Sequence, residues 1–131
     1  MKPSIGSVLY IEDDKDTREL VTLLLEQSGY ELVAAEDYDE ALRLARTNRF
    51  DLYLIDNRMS GGSGIDLCKK LREFNPFTPV LFYSGAAYET DKQQAFVAGA
   101  QAYLVKPAEP EELIAEVSRL ISAEREGNFF Y

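Results

Sequence analysis

The chain contains no histidine, no tryptophan and one cysteine among its 131 residues. Without imidazole there is no Ser-His or Cys-His nucleophile pair, no histidine metal cluster and no histidine acid/base chemistry. A lone Cys68 excludes an intramolecular disulfide and a thiolate zinc centre, and it fits a reducing compartment. Positive charge is also scarce: 14 basic against 23 acidic residues give a net charge of −9. That balance argues against direct nucleic-acid binding and against an anionic membrane surface. No apolar run exceeds four residues, and Met1-Lys2-Pro3 opens no signal-peptide pattern. What these absences leave is one acidic domain of cytoplasmic type. Its chemistry must rest on carboxylates, hydroxyls and lysines.

The short apolar runs carry the architecture. They are Val8-Leu9-Tyr10-Ile11, Leu32-Val33-Ala34-Ala35, Leu52-Tyr53-Leu54-Ile55, Val80-Leu81-Phe82-Tyr83 and Ala102-Tyr103-Leu104-Val105. Each is continuous rather than alternating, as in strands of a parallel sheet covered on both faces. Helical spacing fills the gaps. Leu20, Val21, Leu24 and Leu25 make one stripe ending before Gly29; Tyr38, Ala41, Leu42 and Ala45 make a second. Ile65, Cys68, Leu71 and Phe74 make a third, halted by Asn75-Pro76. Thr90 to Ala98, including the apolar run Ala95-Phe96-Val97-Ala98, reads as the least apolar helix and ends at Gly99. Leu113, Ile114, Val117, Leu120 and Ile121 form the clearest stripe, opened by Pro110 with Glu111 and Glu112 in its first turn. Five strands alternating with five helices predict a doubly wound α/β sandwich with a parallel sheet.

In such a sheet, ligands bind beyond the carboxyl ends of the strands. Glu12, Asp13 and Asp14 follow the first strand, Asp56 the third, Ser84 the fourth and Lys106-Pro107 the fifth. Each has a plainer reading: helix caps for the first acids, turn residues for Asp56 and Ser84, a solvated lysine for Lys106. Those readings weaken together, because four accidents would have to fall at the same end of four strands. Two carboxylates about 4 Å apart repel by roughly 4 kcal/mol at an effective dielectric of 20, so acids sharing a crevice call for a cation. All-oxygen ligands point to a hard ion such as Mg²⁺ (or Mn²⁺). A divalent ion beside a lysine and a hydroxyl suits a phosphoryl group, with Asp56 as its carboxylate acceptor.

These residues resemble the receiver domain of two-component response regulators, in its single-domain, chemotaxis-regulator-like form. The likeness rests on Val8-Leu-Tyr-Ile-Glu12-Asp13-Asp14, then Asp51-Leu-Tyr-Leu-Ile-Asp56 with Met59-Ser-Gly-Gly-Ser-Gly64. It continues in Pro79-Val-Leu-Phe-Tyr-Ser84-Gly85 and Gly99-Ala-Gln-Ala-Tyr103-Leu-Val-Lys106-Pro107. The resemblance implies a flavodoxin-like strand order 2-1-3-4-5 and a receiver spanning residues 5–124, followed by a short tail at 125–131. It implies phosphorylation of Asp56, with Ser84 and Lys106 contacting the phosphoryl group. It also implies Mg²⁺ on Asp13, Asp56 and the main-chain carbonyl of Arg58, with Glu12 acting mainly through water. Ser84 and Tyr103 would be the switch residues, and Lys106-Pro107 a cis peptide. The implied partners are a histidine kinase or histidine phosphotransfer protein, which supplies the phosphohistidine of a phosphorelay, and a downstream target protein. A homodimer through the face of the fourth helix, fifth strand and fifth helix is also open.

Several positions depart from the family pattern. Ser60 stands where proline is common and is expected to loosen its loop without touching the chemistry. Glu109 replaces a shorter helix-capping acid. Arg58, two residues after Asp56, stands beside the expected path of the hydrolytic water and bears on phosphoryl lifetime; its guanidinium is expected to pair with Glu12 or the phosphoryl oxygens. Two other readings remain open at this level. One is a phosphorylation-independent interaction module, with Arg58 in the cation's place. The other is a Mg-dependent phosphatase of the haloacid-dehalogenase type, which would need an acid where Arg58 stands. The aromatic run Phe129-Phe130-Tyr131 is either a loose end or a docking element.

Overall fold

The computed structural model describes residues 4–127. Its strands are β1 (Ser7–Ile11), β2 (Glu31–Ala35), β3 (Leu52–Ile55), β4 (Arg58–Met59), β5 (Gly62–Ser63), β6 (Val80–Ser84) and β7 (Ala102–Val105). Its helices are α1 (Lys15–Gln27), α2 (Tyr38–Thr47), α3 (Gly64–Phe74), α4 (Glu89–Ala98) and α5 (Pro110–Arg125). Five strands form a parallel sheet in the order β2-β1-β3-β6-β7. In terms of the five predicted strands, this is the order 2-1-3-4-5. The antiparallel pair β4-β5, Arg58 opposite Ser63 and Met59 opposite Gly62, was not expected. Two residues per strand leave no periodicity to read.

The continuous apolar runs are explained by side-chain alternation across the sheet. Leu9, Ile11, Tyr53, Ile55, Val80 and Phe82 pack on one face with Ala41 and Leu42 of α2, Leu67 and Leu71 of α3, and Ala95 of α4. Val8, Tyr10, Leu52, Leu54, Leu81 and Tyr83 pack on the other with Val21 and Leu25 of α1 and Leu113, Val117 and Leu120 of α5. Leu20 departs from its expected stripe: it is 67% exposed, because Val21 and Leu25 already face the sheet.

Helix starts are set by short polar side chains that accept the orphan N–H groups of the first turn. Asp14 accepts from Thr17 N at 2.9 Å, Asp37 from Glu40 N at 2.9 Å and Ser63 from Asp66 N at 3.0 Å. Glu109 makes no such side-chain bond, and Pro110 opens α5 instead. Gly99 ends α4 with φ 115°, a left-handed conformation that favours glycine. The expectation attached to Phe129-Phe130-Tyr131 lies outside the described residues.

Candidate functional site

The carboxyl edge of the sheet gathers side chains from three strand ends. Glu12 follows β1 and is 2% exposed; Asp56 follows β3 and is 8% exposed. Lys106 follows β7 and reaches back between them. Its ammonium donates to Asp56 Oδ2 at 3.2 Å and to Glu12 Oε1. Two carboxylates facing one amine hold it in the ammonium form: burial alone would favour the neutral amine, but Glu12 and Asp56 outweigh it. The other oxygen of Asp56, Oδ1, accepts the main-chain N–H of Arg58 at 3.1 Å. Asp56 is therefore fixed in orientation by one main-chain donor and one charged donor. The peptide Lys106-Pro107 is cis, as expected.

The acids after β1 divide the two readings given to them. Asp14 is a cap: it accepts from both the main-chain N and the hydroxyl of Thr17, which together hold its carboxyl below the ordinary range. Glu12 turns inward to Lys106. Asp13 stands at the exposed rim, where the Ser60 hydroxyl donates to its Oδ2 at 3.4 Å. Ser60 thus touches a candidate ligand, contrary to expectation, because the β4-β5 turn brings it back over the edge. Arg58 is exposed and makes no ion pair among the described residues. Its expected pairing with Glu12 is taken by Lys106, and this removes the support for a guanidinium in the cation's place.

The switch candidates lie on the far side of the edge. Ser84 is fully buried, and its hydroxyl accepts the N–H of Ala86 at 3.2 Å. Tyr103 is turned in against Phe82, with its hydroxyl donating to the carbonyl of Ala86 at 2.6 Å. Burial raises its phenol, and the side chains of Ser84 and Asn57 are further polar neighbours.

Three carboxylates against one ammonium leave two negative charges at this edge, and every side-chain donor among the acids is oxygen. That chemistry fits a hard divalent cation. Among the described residues, however, no three of histidine, cysteine, aspartate and glutamate converge on one point. Glu12 pairs with Lys106, and Asp13 accepts from Ser60.

Two contributors escaped the sequence reading. Gly64 opens α3 so close to the chain after β3 that a Cβ would lie 2.5 Å from the Asp56 carbonyl oxygen and 2.8 Å from the Asn57 Cα. The residue type at this position was visible, but the approach is tertiary. Tyr10 belongs to the first apolar run, yet its hydroxyl donates to Glu12 Oε1 at 3.4 Å. A signal existed: residues 10 and 12 share one side of a strand.

Comparison with known proteins agrees with this geometry. The model of the response regulator receiver domain matches residues 8–118. The transcriptional regulatory protein ResD of Bacillus subtilis is 32% identical over 123 residues, covering 94% of this chain and 51% of ResD. The phosphate regulon transcriptional regulatory protein PhoB of Escherichia coli is 35% identical over 116 residues, covering 87% and 51%. The chain thus spans about half the length of these curated relatives. A CheY-like receiver domain protein from Methanospirillum hungatei superposes with a TM-score of 0.91 at 25% identity, covering 95% of this chain and 99% of the other.

Proposed function

Since the chain belongs to the response regulator receiver domain family, we propose that it is a phosphorylation-activated switch whose acceptor is Asp56. The observation that carries this is the pairing of a buried carboxylate with a cation at the sheet edge, Lys106 Nζ to Asp56 Oδ2 at 3.2 Å. The donor would be a phosphohistidine on a histidine kinase or histidine phosphotransfer protein. The P–N bond to the histidine breaks with its electron pair going to the ring nitrogen, and a P–O bond forms to the Asp56 carboxylate. Lys106 then faces a phosphoryl oxygen rather than the free carboxylate, and the Ser84 hydroxyl is the neutral donor for another.

Asp13, Asp56 and the main-chain carbonyl of Arg58 would hold Mg²⁺ or Mn²⁺, with Glu12 through water. Such an ion supplies charge neutralisation for the incoming phosphoryl oxygens. Within this reading the chain catalyses only its own phosphorylation and dephosphorylation. Arg58 stands where a haloacid-dehalogenase-type phosphatase needs its acid, so nothing favours turnover of free phosphoesters.

The output surface in this reading is the face of α4, β7 and α5, where Tyr103 links the site edge to β7; α4 also leaves Phe96 47% exposed. It would bind a downstream target protein or a second copy. The cytoplasm is the matching compartment. Among the described residues, no helix is long and apolar enough to cross a membrane.

The test is exposure to acetyl phosphate with Mg²⁺, read by intact-mass spectrometry. One phosphoryl adduct on the natural chain and none on Asp56→Asn is the expected result. Equal modification of both chains, or of neither, would overturn the assignment.

A further inference from the structure

Glu12 has more donors than its pairing with Lys106 requires. Its Oε1 accepts from Lys106 and, from within the sheet, from the Tyr10 hydroxyl at 3.4 Å; its Oε2 accepts the Asp14 N–H at 3.3 Å. Tyr10 is fully buried on β1, and the Glu12 carboxylate is the one hydrogen-bond partner of its hydroxyl among the described residues. Packing alone does not explain the hydroxyl. A phenylalanine would fill the space under α1 and α5, whereas a buried hydroxyl is costly unless it is bonded. Tyr83, on the same side of the sheet, adds its ring 5.2 Å from Lys106 Nζ, so the amine is framed by one tyrosine ring and two carboxylates.

Lys106 serves two acids, and a phosphoryl group on Asp56 would add negative charge on one side only. As the ammonium moves to that group, Glu12 is left as a buried anion that needs another donor. The Tyr10 hydroxyl is already there. We propose that Tyr10 is a positioning residue: its hydroxyl holds Glu12 in place and so frees Lys106 to engage the phosphoryl group on Asp56. This rests on the reading of Asp56 as the acceptor. Without the hydroxyl, Glu12 depends more heavily on Lys106 and competes with Asp56 for it.

The experiment compares the natural full chain, Tyr10→Phe, Glu12→Gln and the double variant. Beryllofluoride with Mg²⁺ serves as the phosphoryl mimic, titrated by amide NMR. Tyr10→Phe is expected to weaken beryllofluoride binding about five- to tenfold, the scale of one ordinary intramolecular hydrogen bond. In the Glu12→Gln background the same change is expected to cost nothing further, because the competing anion is gone. A second readout is the Nζ resonance of Lys106 in the metal-free protein. It should move between the natural chain and Tyr10→Phe but not between Glu12→Gln and the double variant. An equal loss of beryllofluoride affinity in both backgrounds, or no loss in either, would overturn the proposal by reducing Tyr10 to strand packing. If the natural chain does not bind beryllofluoride at all, the acceptor reading fails; an unmoved Nζ resonance separately rejects Tyr10's action through Glu12.

Discussion

Tyr103 lies flat against Phe82, with ring centroids 5.6 Å apart and planes 2° from parallel, while its hydroxyl reaches the Ala86 carbonyl. The neighbouring strands β6 and β7 supply the two rings, which sit opposite each other in register. One aromatic therefore ties β7 to the loop that carries Ser84 at its start. The inward position of Tyr103 is set by stacking and by one hydrogen bond.

Those two contributions can be separated. Tyr103→Phe keeps the ring against Phe82 and removes the bond to Ala86, at an expected cost of about 1 kcal/mol. Amide hydrogen exchange at Ala86 to Tyr88 should speed up while exchange in β6 stays unchanged. Unaltered exchange in that loop would show that the hydroxyl does not hold it.

Lys106→Met tests the charge balance of the site edge. Glu12 and Asp56 would face each other without a cation, and removing one partner of a largely buried pair is costly, here about 1–3 kcal/mol. The deficit should shrink on acidification, because burial holds the Glu12 carboxyl above the ordinary range and protonating it removes the repulsion. Urea denaturation at neutral pH and near pH 4.5 reads both the loss and its recovery. A deficit that stays constant with pH would mean that Lys106 acts through packing alone.

Gly64→Ala should be destabilising despite improved helix propensity. The added Cβ meets main-chain atoms of Asp56 and Asn57, which cannot rotate away as a flexible side chain would. Overpacking of this kind costs about 1–3 kcal/mol. It should also disturb the bond from Arg58 N to Asp56 Oδ1, visible as a shift of the Arg58 amide resonance. Gly85, with open space around it, is the control position for alanine.

Cys68 gives a pH dependence of known sign. Burial pushes its thiol up from the ordinary 9.0 to about 11. A raised pKa contributes stability that is complete below about pH 9, where folded and unfolded thiols are both protonated, and that is lost as pH rises through 11. The full loss is about 2–3 kcal/mol. The urea midpoint should fall more steeply between about pH 8 and 10.5 for the natural chain than for Cys68→Ala, with the raised Tyr10 and Tyr53 phenols contributing to both. Equal slopes would remove the thiol from the account. The native thiol should also resist alkylation at pH 8.

Much of the fold was legible because its signals are local. A four-residue apolar run such as Leu52 to Ile55 is enough to mark a strand buried on both faces, and Pro110 or Gly99 marks a helix end without reference to the rest of the chain. Glu12, Asp13, Asp56, Ser84 and Lys106 were legible as edge residues for the same reason: each lies within two residues of the end of an apolar run. What stayed hidden depends on which partner a side chain meets. Leu20 looked like part of a core stripe, but α1 rests on the sheet through Val21 and Leu25. Arg58 and Lys106 are both cations near Asp56 in the predicted site, and only the folded geometry shows that Lys106 takes Glu12.

The sequence by itself determined the order of the five sheet strands and five helices, the two-sided parallel sheet and the end of the sheet at which the acids, the hydroxyl and the amine collect. These follow from residue type and spacing along the chain, which hydrophobic burial and backbone sterics convert into strands, helices and caps. Tertiary structure alone decided the pairing of charges: Glu12 with Lys106 and Tyr10, Asp13 with Ser60, Asp56 with Lys106 and the Arg58 N–H. Residues 12, 56 and 106 are far apart in the chain, so nothing local ranks their possible partners. Only distances of a few ångströms in a poorly solvated edge do, because electrostatic and hydrogen-bond energies change most steeply there.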